Sequence, residues 1–144
     1  MRKTILFIGS ITFFSVIAFI AACCSGPSNA TPGKTIATGP AVNNLTATIA
    51  NADGTFKKGP QEFTLTFADA SGKPVDVGAV GFNSHMAAMG SMAAMNNAAT
   101  LTTTGTPGVY KCKVEFDMAG EWQAQITYEG PAGKGAFSLP IVAK

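Results

Sequence analysis

Tyr110-Lys111-Cys112-Lys113-Val114-Glu115-Phe116-Asp117, followed closely by Gly120-Glu121-Trp122-Gln123-Ala124-Gln125-Ile126-Thr127-Tyr128, is the clearest pattern in the 144-residue chain. In the first run Tyr110, Cys112, Val114 and Phe116 alternate with Lys111, Lys113, Glu115 and Asp117. In the second, Trp122, Ala124, Ile126 and Tyr128 alternate with Gln123, Gln125, Thr127 and Glu129. Successive strand side chains point to opposite faces, so this period of two describes strands with one face buried and one wet. The short break at Met118-Ala119-Gly120 predicts an antiparallel hairpin.

Working outward, the same signature recurs with turn signals between its copies. Leu45, Ala47 and Ile49 alternate with threonines and end at Asn51-Ala52-Asp53-Gly54. Phe63, Leu65 and Phe67 alternate with Thr64 and Thr66 and end at Ser71-Gly72-Lys73-Pro74. Val75, Val77, Val80 and Phe82 mark a third strand with a kink at Gly78, and Ala99, Leu101 and Thr103 a weaker fourth. Phe137, Leu139 and Ile141 form the last, where Pro140 favours an edge. About seven short strands at regular spacing predict an all-β chain, an immunoglobulin-like antiparallel β-sandwich over residues 44–144. Trp122 and Cys112 are expected in its core.

The N-terminus has a different character. Met1-Arg2-Lys3 precedes an apolar run from Ile5 to Ala22, the layout of an export signal rather than a span of the mature protein. The run ends in Ile20-Ala21-Ala22-Cys23, which resembles a bacterial lipobox. Residues 1–22 are therefore expected to be a lipoprotein signal peptide, with Cys23 as the lipidated first residue of the mature chain. Lipidation implies a chain anchored to the membrane and lying outside the cytoplasmic membrane. Cys24 rather than Asp follows, which points to the outer membrane in a double-membraned host. From residue 23 to 43 the composition of Ser, Gly, Pro, Thr, Asn and Ala reads as a flexible tether.

Ten Lys and Arg stand against eight Asp and Glu. Two of the ten, Arg2 and Lys3, fall in the leader, so the remaining chain is formally neutral and has no basic run. Nucleic acid is excluded as a partner on electrostatic grounds. No Ser/His/Asp or Cys/His set and no phosphate loop is present, and the single histidine leaves Cys112 without a base, so an enzyme is not expected.

The chemistry that remains is in His85-Met86-Ala87-Ala88-Met89-Gly90-Ser91-Met92-Ala93-Ala94-Met95. This segment holds the only histidine and four of the six methionines. Thioether sulfur is a soft donor and, with imidazole, suits copper, above all Cu(I). The segment has no carboxylate for a hard cation and too few Cys or His for zinc. His85, Met86 and Met89 are the first candidate ligands, with Met92 or Met95 completing a shell. Met118 joins only if its turn shares a pole of the sandwich with this segment. The competing reading is mechanical: alanine favours helix, and methionines three apart would pack one side of a short helix or form an adaptable patch for a partner.

Gly105-Thr106-Pro107-Gly108-Val109-Tyr110, then Phe116-Asp117-Met118-Ala119-Gly120-Glu121-Trp122, resembles the YtkA-like (FixH-like) domain family, with its G-x-Y strand and M-x-G-x-W hairpin. Ser71-Gly72-Lys73-Pro74-Val75 resembles the family's earlier G-x-P-V turn, and residues 85–95 correspond to its methionine-rich loop. The resemblance spans roughly Asn44 to Val142. It implies an immunoglobulin-like sandwich outside the cytoplasmic membrane, in copper-handling or oxidase-assembly settings, and adds Met118 as the matching hairpin methionine. The loop here is longer, alanine-rich and free of the family's proline. The expectation is thus a lipid-anchored copper-binding protein of the cell envelope that holds copper, or exchanges it with a donor or acceptor protein. The alternative is a metal-free module that docks a partner through its methionines.

Overall fold

Nine strands and no helix make up residues 33–144, the part of the chain that the computed structural model describes. The expected signal peptide and Cys23 lie outside these residues. The strands are β1 (Lys34–Pro40), β2 (Thr46–Asn51), β3 (Gly59–Ala68), β4 (Ala79–Met86), β5 (Met95–Ala98), β6 (Thr100–Thr103), β7 (Val109–Phe116), β8 (Gly120–Gly130) and β9 (Gly133–Ala143). They form a five-stranded sheet in the order β1-β2-β3-β7-β6 and a four-stranded sheet in the order β5-β4-β8-β9, antiparallel throughout. Setting β1 aside, this is the strand order of an immunoglobulin-like sandwich.

The two strands beyond the expected seven are informative. β1 occupies part of the segment whose composition reads as a tether, so the folded unit begins near Lys34 rather than at residue 44. Its side chains bury little: most are exposed or half-buried, and small. It is held instead by its backbone pairing along β2, interrupted by a bulge between Thr35 and Ala37. Edge strands of this kind carry almost no hydrophobic signal. Asn43 and Asn44 turn the chain into β2 at φ values of 63° and 58°, a left-handed conformation that asparagine tolerates better than most residues. The second extra strand, β5, lies inside the methionine segment. At Ala99 the chain then leaves the β4 sheet and continues as β6 beside β7.

The alternation in β7 and β8 is borne out: Tyr110, Cys112, Val114 and Phe116 are buried on β7, Trp122, Ala124, Ile126 and Tyr128 on β8, and the residues between them are exposed. The hairpin expected between them is not. β7 and β8 belong to different sheets, and Asp117-Met118-Ala119 forms an arch from one to the other. A hairpin and an arch both present one apolar face per strand, so alternation does not separate them. Across the arch the two apolar faces meet: Phe116 and Trp122 pack edge to face with centroids 5.3 Å apart. The Trp122 indole Nε1–H donates to the Met118 carbonyl at 3.2 Å. That bond ties the start of β8 to backbone four residues upstream, as tyrosine does in the corner of immunoglobulin domains.

Phe56, Phe63, Phe67, Phe82, Phe116, Tyr110, Tyr128 and Trp122 fill the space between the sheets. Pro140 sits on β9, an edge strand of its sheet, where its missing N–H costs no ladder bond. Val75 and Val77 precede β4 rather than belonging to it, although Val77 is still fully buried. Truncating Trp122 removes the largest fully buried side chain. Trp122→Ala is expected to cost about 3–5 kcal/mol. Trp122→Phe, which keeps most of the volume and loses the bond to Met118, is expected to cost about 1 kcal/mol. Denaturant midpoints at fixed slope check both.

Candidate functional site

The methionine segment is a β-hairpin, not a helix. β4 runs through Met86 and β5 starts at Met95, and the pairs His85–Asn96 and Met86–Met95 are in register. Beyond the strands the same register continues to Met89–Met92. There the two backbones exchange both bonds, Met89 N to Met92 O at 3.2 Å and Met92 N to Met89 O at 2.9 Å. Gly90 and Ser91 make the tip, and Gly90 takes a φ of 58°, the left-handed region that tight two-residue turns demand. Alanine's helix propensity is overridden because pairing with β8 already commits β4 to the sheet.

A pleated hairpin sorts its side chains by parity, and this sorts the candidate ligands. Met86 is 3% exposed and lies in the core, with its Cε against Gly120. Met95, its cross-strand partner, is half-buried against the same core, and so is Met118 in the arch. His85 is next to Met86 on one strand and therefore faces the opposite side of the sheet. The two cannot share an ion, which removes Met86 from the first-choice set. Met89 and Met92 are 58% and 40% exposed. Register and alternation place them on the His85 side of the hairpin, side by side at its tip. Met89 lies four residues beyond His85, about 13 Å along the strand. The hairpin thus offers two donor sets on one face, an imidazole at its base and a thioether pair at its tip.

The hairpin is fixed at its base. Asn97 Nδ2 donates to the Glu115 carbonyl at 2.8 Å and to Asp117 Oδ2 at 2.9 Å. Buried Ser84 donates its hydroxyl to the Asn97 carbonyl at 3.0 Å. These bonds join β4 and β5 to the β7–β8 arch, so the methionine hairpin and Met118 do share one pole. Met118, however, turns toward the core. His85 Nδ1 lies 2.8 Å from Asn96 Oδ1. Asn83 Nδ2 donates to that same oxygen at 3.4 Å and to Gln125 Oε1 at 3.0 Å. This contact engages Nδ1 and fixes the ring's orientation, leaving Nε2 as the ring nitrogen for a ligand. The outward parity of Gln123 and Gln125 was readable in the sequence. The roles of Asn83, Asn96 and Asn97 were not, because they depend on which residues the β4–β5 register brings opposite.

The YtkA-like family model matches residues 40–127, well over half of the chain. The chain belongs to the YtkA-like family. The match runs from the end of β1 into β8 and takes in the methionine hairpin, the arch and Trp122. No curated protein and no solved structure matches the chain.

Within this YtkA-like domain, no three His, Cys, Asp or Glu side chains among the described residues come together as metal ligands. The soft-donor set at this pole is methionine with His85. Cys112 is not part of it: it is 1% exposed, on the inward face of β7, and burial pushes its thiol up to about 12. Burial also raises the Tyr110 and Tyr128 hydroxyls, which donate to the Gly78 and Val42 carbonyls.

Two measurements follow from this placement. Met86→Ala should destabilise the fold by about 2–5 kcal/mol, as loss of a core methionine does. Met89→Ala should stay within about 0.5 kcal/mol, as exposed substitutions do, and chemical denaturation separates the two. Cys112 is neutral in the fold and ionises more readily once unfolded, so its contribution is fully present below the free-thiol value of 9.0 and is lost as pH rises through about 12. Stability should therefore fall across that alkaline window, and Cys112→Ala should flatten the fall.

Proposed function

We propose that this protein is a lipid-anchored Cu(I) carrier outside the cytoplasmic membrane, with copper as cargo and Met89 and Met92 as the ligands that hold it. The carrying observation is the cross-strand pairing of these two methionines at an exposed hairpin tip. Two neutral thioethers suit Cu(I), which accepts few and soft donors. The hairpin contributes no carboxylate to favour hard cations. Asp117, at the base of the hairpin, is bonded to Asn97. The lipobox at Ile20-Ala21-Ala22-Cys23 supports the anchor. Membership of the YtkA-like family supports the general setting.

The mechanism is ligand exchange, not turnover. An ion held by two sulfurs at a solvent-facing tip leaves room for a ligand from a partner to attach before either sulfur departs. His85, oriented by Asn96 with Nε2 open, is a further donor on the same face. The exposure of the same two methionines also suits the second reading, a metal-free module that docks a partner through them.

Competition of the mature protein against a chromophoric Cu(I) chelator tests the proposal. The parent should compete. Met89→Leu with Met92→Leu should weaken it at least about tenfold, the change that about 1.4 kcal/mol produces. Met86→Leu should leave affinity unchanged. A double variant that competes as well as the parent would remove the copper reading, and partner capture indifferent to chelators would support docking.

A further inference from the structure

We infer that the Met89–Met92 pair is a selective sulfoxidation site, at which a peroxide converts a soft thioether pair into a polar sulfoxide pair. Its consequence for cargo rests on the Cu(I) reading above; the modification site itself does not. The hairpin divides the methionines by access. Met89 and Met92 are 58% and 40% exposed, while Met86 is 3% exposed with its methyl against Gly120. Met95 and Met118 are half-buried against the core. An oxidant arriving from solvent therefore meets the tip sulfurs first.

The chemistry is a two-electron oxygen transfer. The thioether sulfur attacks one oxygen of hydrogen peroxide, an S–O bond forms and the O–O bond breaks. Sulfur gives up two electrons, the peroxide is reduced, and the proton of the attacked hydroxyl passes to the departing hydroxide, which leaves as water. The product is more polar and no longer a soft donor. The tip tolerates the change. The Met89–Met92 pairing is made by backbone groups, and neither side chain belongs to the core. The same oxidation at Met86 would place a sulfoxide between the sheets, where an unpartnered polar group is costly. Sulfoxide reductases reverse the step, one for each epimer, and the exposed tip is open to them. The pair thus works as a reversible switch: reduced sulfurs hold Cu(I), oxidised ones release it.

The test treats the mature chain with limiting hydrogen peroxide and maps oxygen by peptide mass spectrometry. Near-UV circular dichroism and Cu(I) competition are measured before and after, then again after sulfoxide reductases. The first two methionine oxygens should fall on Met89 and Met92, with the dichroism unchanged. Cu(I) affinity should drop at least about tenfold and recover on reduction. Under the same exposure the Met89→Leu, Met92→Leu chain should gain almost no methionine oxygen. Comparable oxidation at Met86, Met95 or Met118, or loss of the fold with the first oxygen, would overturn the site. If the tip oxidises first but the untreated chain never competes for Cu(I), the modification site stands and the copper reading falls. If affinity survives oxidation of the tip, the switch falls and copper must use other ligands.

Discussion

Trp122 sits where the two sheets close on each other, its ring against Phe116 and its indole N–H on the Met118 carbonyl. The arch it braces joins β7 in one sheet to β8 in the other, and β8 in turn carries β4 along most of its length. The methionine hairpin grows from the end of β4 beside that arch. Met86 buttresses the junction from below, at Gly120. A core contact therefore determines where the exposed tip stands. The division of the methionines is a direct result: the sandwich keeps Met86, shares Met95 and Met118, and leaves Met89 and Met92 to solvent.

That division follows from strand geometry rather than from methionine content. In a helix, sulfurs three residues apart would have drifted round one side together. In a hairpin of fixed register, the same spacing alternates them between faces and pairs them across the turn. Met86 pairs with Met95 on the core side, and Met89 with Met92 on the other. The one histidine falls on the side of the exposed pair, held by an amide chain through Asn96, Asn83 and Gln125. The alanines between them add little bulk, so the tip is slim and its sulfurs are accessible.

Much of the fold was legible because the core strands write their burial into a period of two. Tyr110 to Phe116 and Trp122 to Tyr128 were placed residue by residue, as were the inward thiol of Cys112 and the edge position of Pro140. Connectivity was less legible. Strands joined by an arch and by a hairpin carry the same alternation, and what distinguishes them is pairing: β7 pairs with β3 and β6, β8 with β4 and β9. β1 was hidden because an edge strand held by backbone bonds needs no apolar side chains. β5 was hidden because helix propensity and methionine spacing both suggested another shape. The soft-donor cluster was plain from composition. Which sulfurs face solvent was not, since a single step of register exchanges the two sets.

We propose that the exposed cross-strand pair, not the methionine-rich segment as a whole, carries the chemistry. X-ray absorption at the copper edge on the Cu(I)-loaded mature protein tests it most directly. Sulfur scatterers around Cu(I) are expected in the parent and in Met86→Leu, and their loss when Met89 and Met92 are both changed to leucine. A first shell without sulfur in the parent, or an unchanged sulfur shell in the double variant, would contradict it.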